Sequence, residues 1–347
     1  MKKQLLGFFL GCVACVALAQ PVTLKQGHPD SYYVKEGDTL WDIANVFLQD
    51  PWLWPEIWHI NPQVENPHLI YPGDKLALVY DAKGEPKLTV AERAPVKLTP
   101  GSSKVTPKVR IESVASAIPA IPLEKINAFL TKSRVVNMAD LEAAPYVIAG
   151  DSRRILSGAG DKLYARGDFK EDEKVYGVYR AGETYFDPET REALGVQALD
   201  VGGGRIIDQT ADVATLMVNS SNEEIRVNDR LLPNEERKVT AVFHPKAPDT
   251  DIKGYIIAVE NGVKNVGAMD IIAINRGERD GLMVGDVLAI SQTGEVVRDK
   301  VKNELVQLPD VRSGMMIVFR TFEKMAFGLV VVADRPLSVG DKIRNPD

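Results

Sequence analysis

The chain has 347 residues, of which 45% are hydrophobic and 26% charged, with a formal net charge of -6. That length accommodates two or three domains, and the hydrophobic share is that of folded rather than disordered protein. The acidic balance excludes a broadly basic surface, so nucleic acid is not an expected partner.

Residues 1–19 read as a signal peptide. Lys2 and Lys3 form a positive start, Leu5 to Leu18 an apolar run, and Ala17-Leu18-Ala19 a small-x-small cleavage pattern. The run is too short for a comfortable membrane span, and no later run is as long. Cleavage near Gln20 is therefore expected to release the protein into the periplasm with no membrane span. Both cysteines, Cys12 and Cys15, lie in this segment. A mature chain without cysteine has no disulfide, thiolate metal site or cysteine nucleophile. Acylation at Cys12 or Cys15 is the alternative reading, but neither follows a good Leu-small-small triplet.

Residues 31–80 predict a compact β-α-α-β unit. Tyr32-Tyr33-Val34 is a strand rich in β-formers. Gly37-Asp38 turns the chain, and Thr39 with Asp42 forms a capping signature that satisfies free N–H groups at a helix start. Leu40, Ile43, Ala44 and Phe47 follow as one apolar helical stripe. Asp50-Pro51 ends that helix, and a second starts near Pro55 and stops at Pro62. Pro72-Gly73 suits a type II turn into a closing strand over Leu76 to Tyr80. All four tryptophans, Trp41, Trp52, Trp54 and Trp58, fall in this stretch. A unit of about fifty residues without disulfides is marginal, and aromatic side chains bury a large area each. Core packing is thus their expected role, in preference to sugar stacking.

The stretches "YYVKEGDTLWDIA" and "NPHLIYPGDKL" make this unit closely resemble the lysin motif (LysM) domain. The departure from its commonest pattern is "LQDPWLWPEIW", a Trp- and Pro-rich join between the helices. The resemblance implies binding of the N-acetylglucosamine-containing glycan of peptidoglycan in a shallow groove between two loops. The matching positions are Gly37, Asp38, Thr39 and Leu40 on one side, and Asn66, His68, Leu69, Ile70 and Tyr71 on the other. An N-acetyl group needs a backbone donor and acceptor at matched distance and an apolar seat for its methyl. Leu40 and Ile70 can line that seat, although Leu40, like Ile43 and Phe47, suits a core position.

Residues 81–121 change character. Pro86, Pro95, Pro100, Pro107 and Pro119 recur among Lys, Thr, Ser and Ala, which reads as an extended linker. Its net charge is +3, against -6 over residues 28–80.

Residues 122–347 read as mainly β after a short helix at Leu123 to Leu130. Short β-rich runs alternate with turn signals, which favours barrels or sandwiches. One turn recurs before a strand, at Gly160-Asp161, Asn228-Asp229, Gly285-Asp286 and Gly340-Asp341. Two similar stretches, "EEIRVNDRLLP" and "PLSVGDKIRNP", suggest related modules over 122–235 and 236–347. The predicted fold class is multidomain: a small α+β (βααβ) lysin motif domain followed by a mainly β region of two modules. This order resembles the type IV pilus secretin-associated protein family, which carries a signal peptide, one lysin motif and a β-rich tail related to a flagellar assembly protein. That resemblance implies an outer-membrane secretin ring as the protein partner.

No catalytic constellation is legible. The four histidines, His28, His59, His68 and His244, are scattered and show no His-Glu-x-x-His or related spacing. Gly202-Gly203-Gly204 lacks the strand-turn-helix context of a phosphate loop and reads as a hairpin. A carboxylate pair for glycoside cleavage depends on distances that sequence does not give. The expectation is a non-catalytic wall-binding adaptor needing no cofactor or metal. The alternatives are a peptidoglycan hydrolase with an unrecognised β catalytic domain, or a wall-binding part of another envelope machine such as the flagellum.

Overall fold

A computed structural model describes residues 22–58, 70–92, 120–121, 126–127, 129–130, 133–151, 154–170, 172–233, 244–260 and 265–346. The predicted signal peptide and most of the predicted linker, 93–119, lie outside these residues.

The N-terminal unit has the predicted order. Strand β1 (Ser31–Tyr33) is followed by helix α1 (Leu40–Phe47), a 3-10 turn (Pro51–Leu53), helix α2 (Trp54–Ile57) and strand β2 (Lys75–Tyr80). Thr39 is the N-cap of α1 and closes a reciprocal box with Asp42. The helix buries Leu40, Ile43, Ala44 and Phe47 on one stripe, and Leu48 leaves it in extended conformation. Strand β3 (Pro86–Glu92) then pairs antiparallel with β2 along its whole length. Residues 86–92, read as linker from their sequence, are therefore the third strand of a β1-β2-β3 sheet. Proline is compatible with the first residue of an edge strand, because no ladder donor is lost there. Trp41, Trp52 and Trp54 are buried, and Trp58 is half-buried in a bridge to Leu88.

The rest of the chain is β-rich, as predicted, and forms two closed rings of strands. The first set comprises β4 (Ser133–Val136), α3 (Met138–Ala143), β5 (Tyr146–Gly150), β6 (Leu156–Ser157), β7 (Lys162–Arg166), β8 (Val175–Phe186), β9 (Ala193–Thr210), β10 (Val213–Ser221), β11 (Ile225–Arg226) and β12 (Arg230–Pro233). Six of these pair in the circuit β5-β7-β10-β9-β8-β12, closed by the β5–β12 and β9–β10 ladders. Strand β4 covers the free edge of β9.

The second set comprises β13 (Lys253–Val259), β14 (Asn265–Val266), β15 (Ile271–Ile274), β16 (Val287–Gln292), β17 (Val296–Asp299), β18 (Glu304–Gln307), β19 (Val311–Thr321), β20 (Ala326–Ala333), β21 (Leu337–Ser338) and β22 (Lys342–Arg344). Its barrel closes as β13-β15-β20-β19-β16-β22. Taken in sequence order, the circuits are the same, with β5 matching β13, β7 matching β15, and so on to β12 and β22. Even the small pair β6–β11 has its counterpart in β14–β21. The two β modules are a structural repeat.

The recurrent turn explains part of that likeness. Asp161, Asp229, Asp286 and Asp341 each accept the backbone N–H three residues earlier, at 2.8–2.9 Å. Each returns its own N–H to the carbonyl of that same residue. The carboxylate thus satisfies an amide that would otherwise be orphaned at the start of a strand. Asp286 and Asp341 are buried, and burial pushes both carboxyls above the ordinary aspartate value, against the pull of the amide.

One buried apolar cluster interlinks the N-terminal unit and the second barrel. It contains Leu40, Trp41, Trp54 and Ile70, then Ala120, Ile121, Ile126 and Phe129, then Met315, Ile317, Phe319 and Phe327. Ile126, Asn127, Phe129 and Leu130 are helical, within the predicted short helix. The Phe129 ring meets Phe327 edge-on at 4.7 Å and Phe319 at 6.0 Å. Arg312 on β19 reaches Asp50 at 3.4 Å. The inside of the same barrel is a separate cluster that includes Ile272, Ile274, Leu288, Met316, Val318 and Val330.

Candidate functional site

Two turns meet at the end of β1. In the first, Gly37 has φ +90°, which the absence of a side chain permits. Asp38 then accepts the Lys35 N–H at 2.8 Å and the Tyr32 hydroxyl at 3.0 Å. Burial, and then Asp38 itself, raise the Tyr32 phenol above its ordinary value, so it is a neutral donor at physiological pH. Thr39 follows at once as the cap of α1. Its N–H and hydroxyl donate to Asp42 at 3.1 and 2.7 Å, and its Oγ1 accepts the Asp42 N–H at 3.1 Å.

The second turn is built the same way. Gly73 has φ +94°. Asp74 accepts the Tyr71 N–H at 3.1 Å and returns its own N–H to the Tyr71 carbonyl at 3.0 Å. The second turn is tied to the strand end that leads into the first: the Val34 N–H donates to the Asp74 carbonyl at 2.9 Å, and the Gly73 N–H to the Val34 carbonyl at 2.7 Å. The polar side chains of Asp38, Thr39 and Asp74 all hold backbone in place. Among the described residues, the two turns therefore offer a ligand backbone shape over an apolar floor, which suits a neutral amide better than an ion.

The predicted residues fall as follows. Gly37 is exposed, Asp38 half-buried and Thr39 buried at the wall formed by the first turn. Leu40 and Ile70 are each 1% exposed and belong to one cluster, so they form the floor beneath the surface rather than the surface itself. Tyr71 is half-buried beside the second turn. Asn66, His68 and Leu69 lie outside the described residues. The structure adds Asp74 as the organiser of the second turn. Its sequence signal is plain: "EGD" and "PGD" are the same Gly-Asp device.

It also adds a neighbour that local sequence does not announce. The Trp41 N–H, one of the free donors at the start of α1, donates to the Ala120 carbonyl at 3.3 Å. Ala120 and Ile121 are buried, although they lie at the end of a stretch read as linker.

Among the described residues, no group of three or more His, Cys, Asp or Glu side chains is arranged to hold a metal ion. No helix among them is long and apolar enough to cross a membrane.

The LysM domain family model matches residues 32–78. The chain is also 40% identical over 60 residues to "Uncharacterized protein YqbP" of Bacillus subtilis (strain 168). That match covers 14% of this chain and 27% of that protein, so the chain spans about a quarter of the length of the curated relative it matches. With two Gly-Asp turns on one strand end, a capped first helix and this match, residues 32–78 are a LysM domain, a module that supports binding of peptidoglycan or related carbohydrate.

Proposed function

We propose that the protein is a non-catalytic periplasmic adaptor. Its LysM domain holds the N-acetylglucosamine-containing glycan of peptidoglycan, and its β modules fasten an outer-membrane secretin complex of a type IV pilus to the wall. The observation that carries the glycan part is the pair of Gly-Asp turns at the end of β1, one held through Lys35 and Tyr32 and the other through Val34, which present shaped backbone over the Leu40–Ile70 floor. The pilus part rests on the resemblance of the whole domain order to the secretin-associated family.

The test is sedimentation of the full-length protein with purified sacculi. One shallow site predicts weak binding, about micromolar to millimolar. Gly37→Val should reduce pelleting, because a β-branched residue leaves the left-handed region that this turn requires. Failure of the wild-type protein to pellet overturns the glycan reading. Clearing of a sacculus gel by the pure protein replaces the adaptor with a hydrolase. Recovery of a flagellar assembly, without secretin, from solubilised envelopes removes the pilus assignment.

A further inference from the structure

The two barrels extend the same hairpin from the same place and treat it differently. In the first, the distal parts of β8 and β9 run beyond the ring as an arm that ends in the turn Asp187–Glu192. That turn docks on one end of the second barrel. Asn275 Nδ2 donates to Asp187 at 2.8 Å, and the Tyr255 hydroxyl donates to Glu189 at 2.8 Å. Glu192 pairs with Lys324 at 2.8 Å and with Arg279 at 3.0 Å. Burial raises the Asp187 carboxyl, and bonds from the Thr190 and Glu189 amides and Asn275 more than reverse this, holding it below the ordinary value. Lys324 and then Arg279 lower Glu192 likewise. Acidic groups of the arm tip thus meet Arg279 and Lys324 on the barrel end.

The counterpart in the second barrel is the hairpin β17–β18, which continues β16 and β19 as the first arm continues β8 and β9. Nothing among the described residues covers it. Val301 at its tip is 93% exposed, Leu305 67% and Val296 58%, values that mark an unfilled contact rather than scattered surface apolarity. The edge of β9 is covered by β4, whereas among the described residues β18 pairs only with β17, and its four residues are all exposed. The sign of charge is also reversed. The tip carries Arg298, Lys300 and Lys302 against Asp299 and Glu304. The end of the first barrel that matches the docking end of the second shows exposed Asp168, Asp172, Asp208 and Asp212. Of the basic residues there, Arg166 is already paired to Asp212 at 2.7 Å, while Lys170 and Lys174 are exposed in the loop beside Asp168 and Asp172.

We propose that the β17–β18 hairpin docks on this end of the first barrel of a second copy of the chain, joining copies head to tail. The first arm fills one end of the second barrel, and β16 runs from that end to the hairpin at the other, so the hairpin points away from its own first barrel and the free counterpart lies on another molecule. Such a contact is heterologous, with different surfaces on its two sides. It propagates as a filament or closes as a ring, according to the rotation per copy.

The experiment is sedimentation velocity of the full chain over a range of concentrations. Wild-type protein is expected to self-associate. Lys300→Glu with Lys302→Glu should weaken that association about tenfold or more by placing like charges together, with an unchanged melting temperature because both residues are exposed. Mixing this variant with chains carrying Asp168→Lys and Asp208→Lys should restore association, since each then supplies the complement of the other. A wild-type chain that stays monomeric throughout, a hairpin variant that associates undiminished, or a mixture that fails to recover overturns the proposal. These readouts do not involve peptidoglycan, so they stand or fall independently of the wall-binding reading.

Discussion

Strands β7 and β15 occupy the same place in the two barrels yet look unalike. In β7, Leu163 and Ala165 are buried while Lys162 and Arg166 face water. In β15, Ile271, Ile272, Ala273 and Ile274 are all buried. The circuit is shared; the surroundings are not. The outer wall of the first barrel at β7 is wet, which gives the alternating pattern of a half-buried strand. The outer wall of the second barrel at β15 belongs to the cluster containing Phe129 and the LysM core, so both faces of the strand are apolar. A repeat can keep its ladders while its hydrophobic periodicity diverges, because periodicity reports what covers a strand rather than where it pairs.

That contrast can be broken most severely at Phe129. Phe129→Ala removes an aromatic ring packed on Phe319 and Phe327 and should destabilise the second barrel by about 3–5 kcal/mol. Hydrogen exchange should show lost protection in β19 and β20, with β7 and β10 unchanged. Equal loss in both barrels would mean that they unfold as one unit.

A smaller effect is expected where the barrels join. Asn275 is fully buried and donates to Asp187. Asn275→Ala leaves that carboxylate short of one donor and should cost about 1–3 kcal/mol. Exchange in residues 187–192 should rise, while the β17–β18 hairpin, which makes no comparable contact among the described residues, should not change.

The smallest effect tests the turns that the repeat places in register. Asn228 and Gly340 precede matching strands β12 and β22, with φ of +74° and +96°. An added Cβ at Gly340 meets open space, so the cost of Gly340→Ala is conformational alone, about 1–2 kcal/mol. Asn228→Ala should cost a similar amount. Thermal melts that separate the two by well over 1 kcal/mol would show that the turns are not equivalent.

What the sequence revealed and what it concealed follow from range. The LysM order was legible because its signals are local: a cap at Thr39 with Asp42, a helical stripe, and turns at Gly37-Asp38 and Pro72-Gly73. The four Asp turns of the barrels were legible for the same reason. Strand β3 was not, since Pro86 and the proline-rich run beyond it read as linker while its register is set by β2. Nor was barrel closure, which depends on ladders such as β13–β22 between residues far apart in sequence. At the site, the first wall was readable residue by residue. The seat residues Leu40 and Ile70 turned out to lie beneath the surface, because depth depends on the β-sheet and on Ile121, not on neighbours in sequence.

The cluster that unites the LysM core with the second barrel carries a consequence for the order in which the chain matures. Asp50 and Arg312 are 262 positions apart. At about 5–20 residues per second, a ribosome needs on the order of 13–50 s to bridge that interval. For much of that time the apolar side of the first domain and Ala120, Ile121 and Phe129 have been made, while the part of the cluster on β19 and β20 has not. Local contacts form first and distant ones last, so the LysM fold precedes its docking, and the final strands close over a surface that has waited longest. A nascent chain of this design spends its exposed period at the N-terminal end, where a holding chaperone would have most to protect.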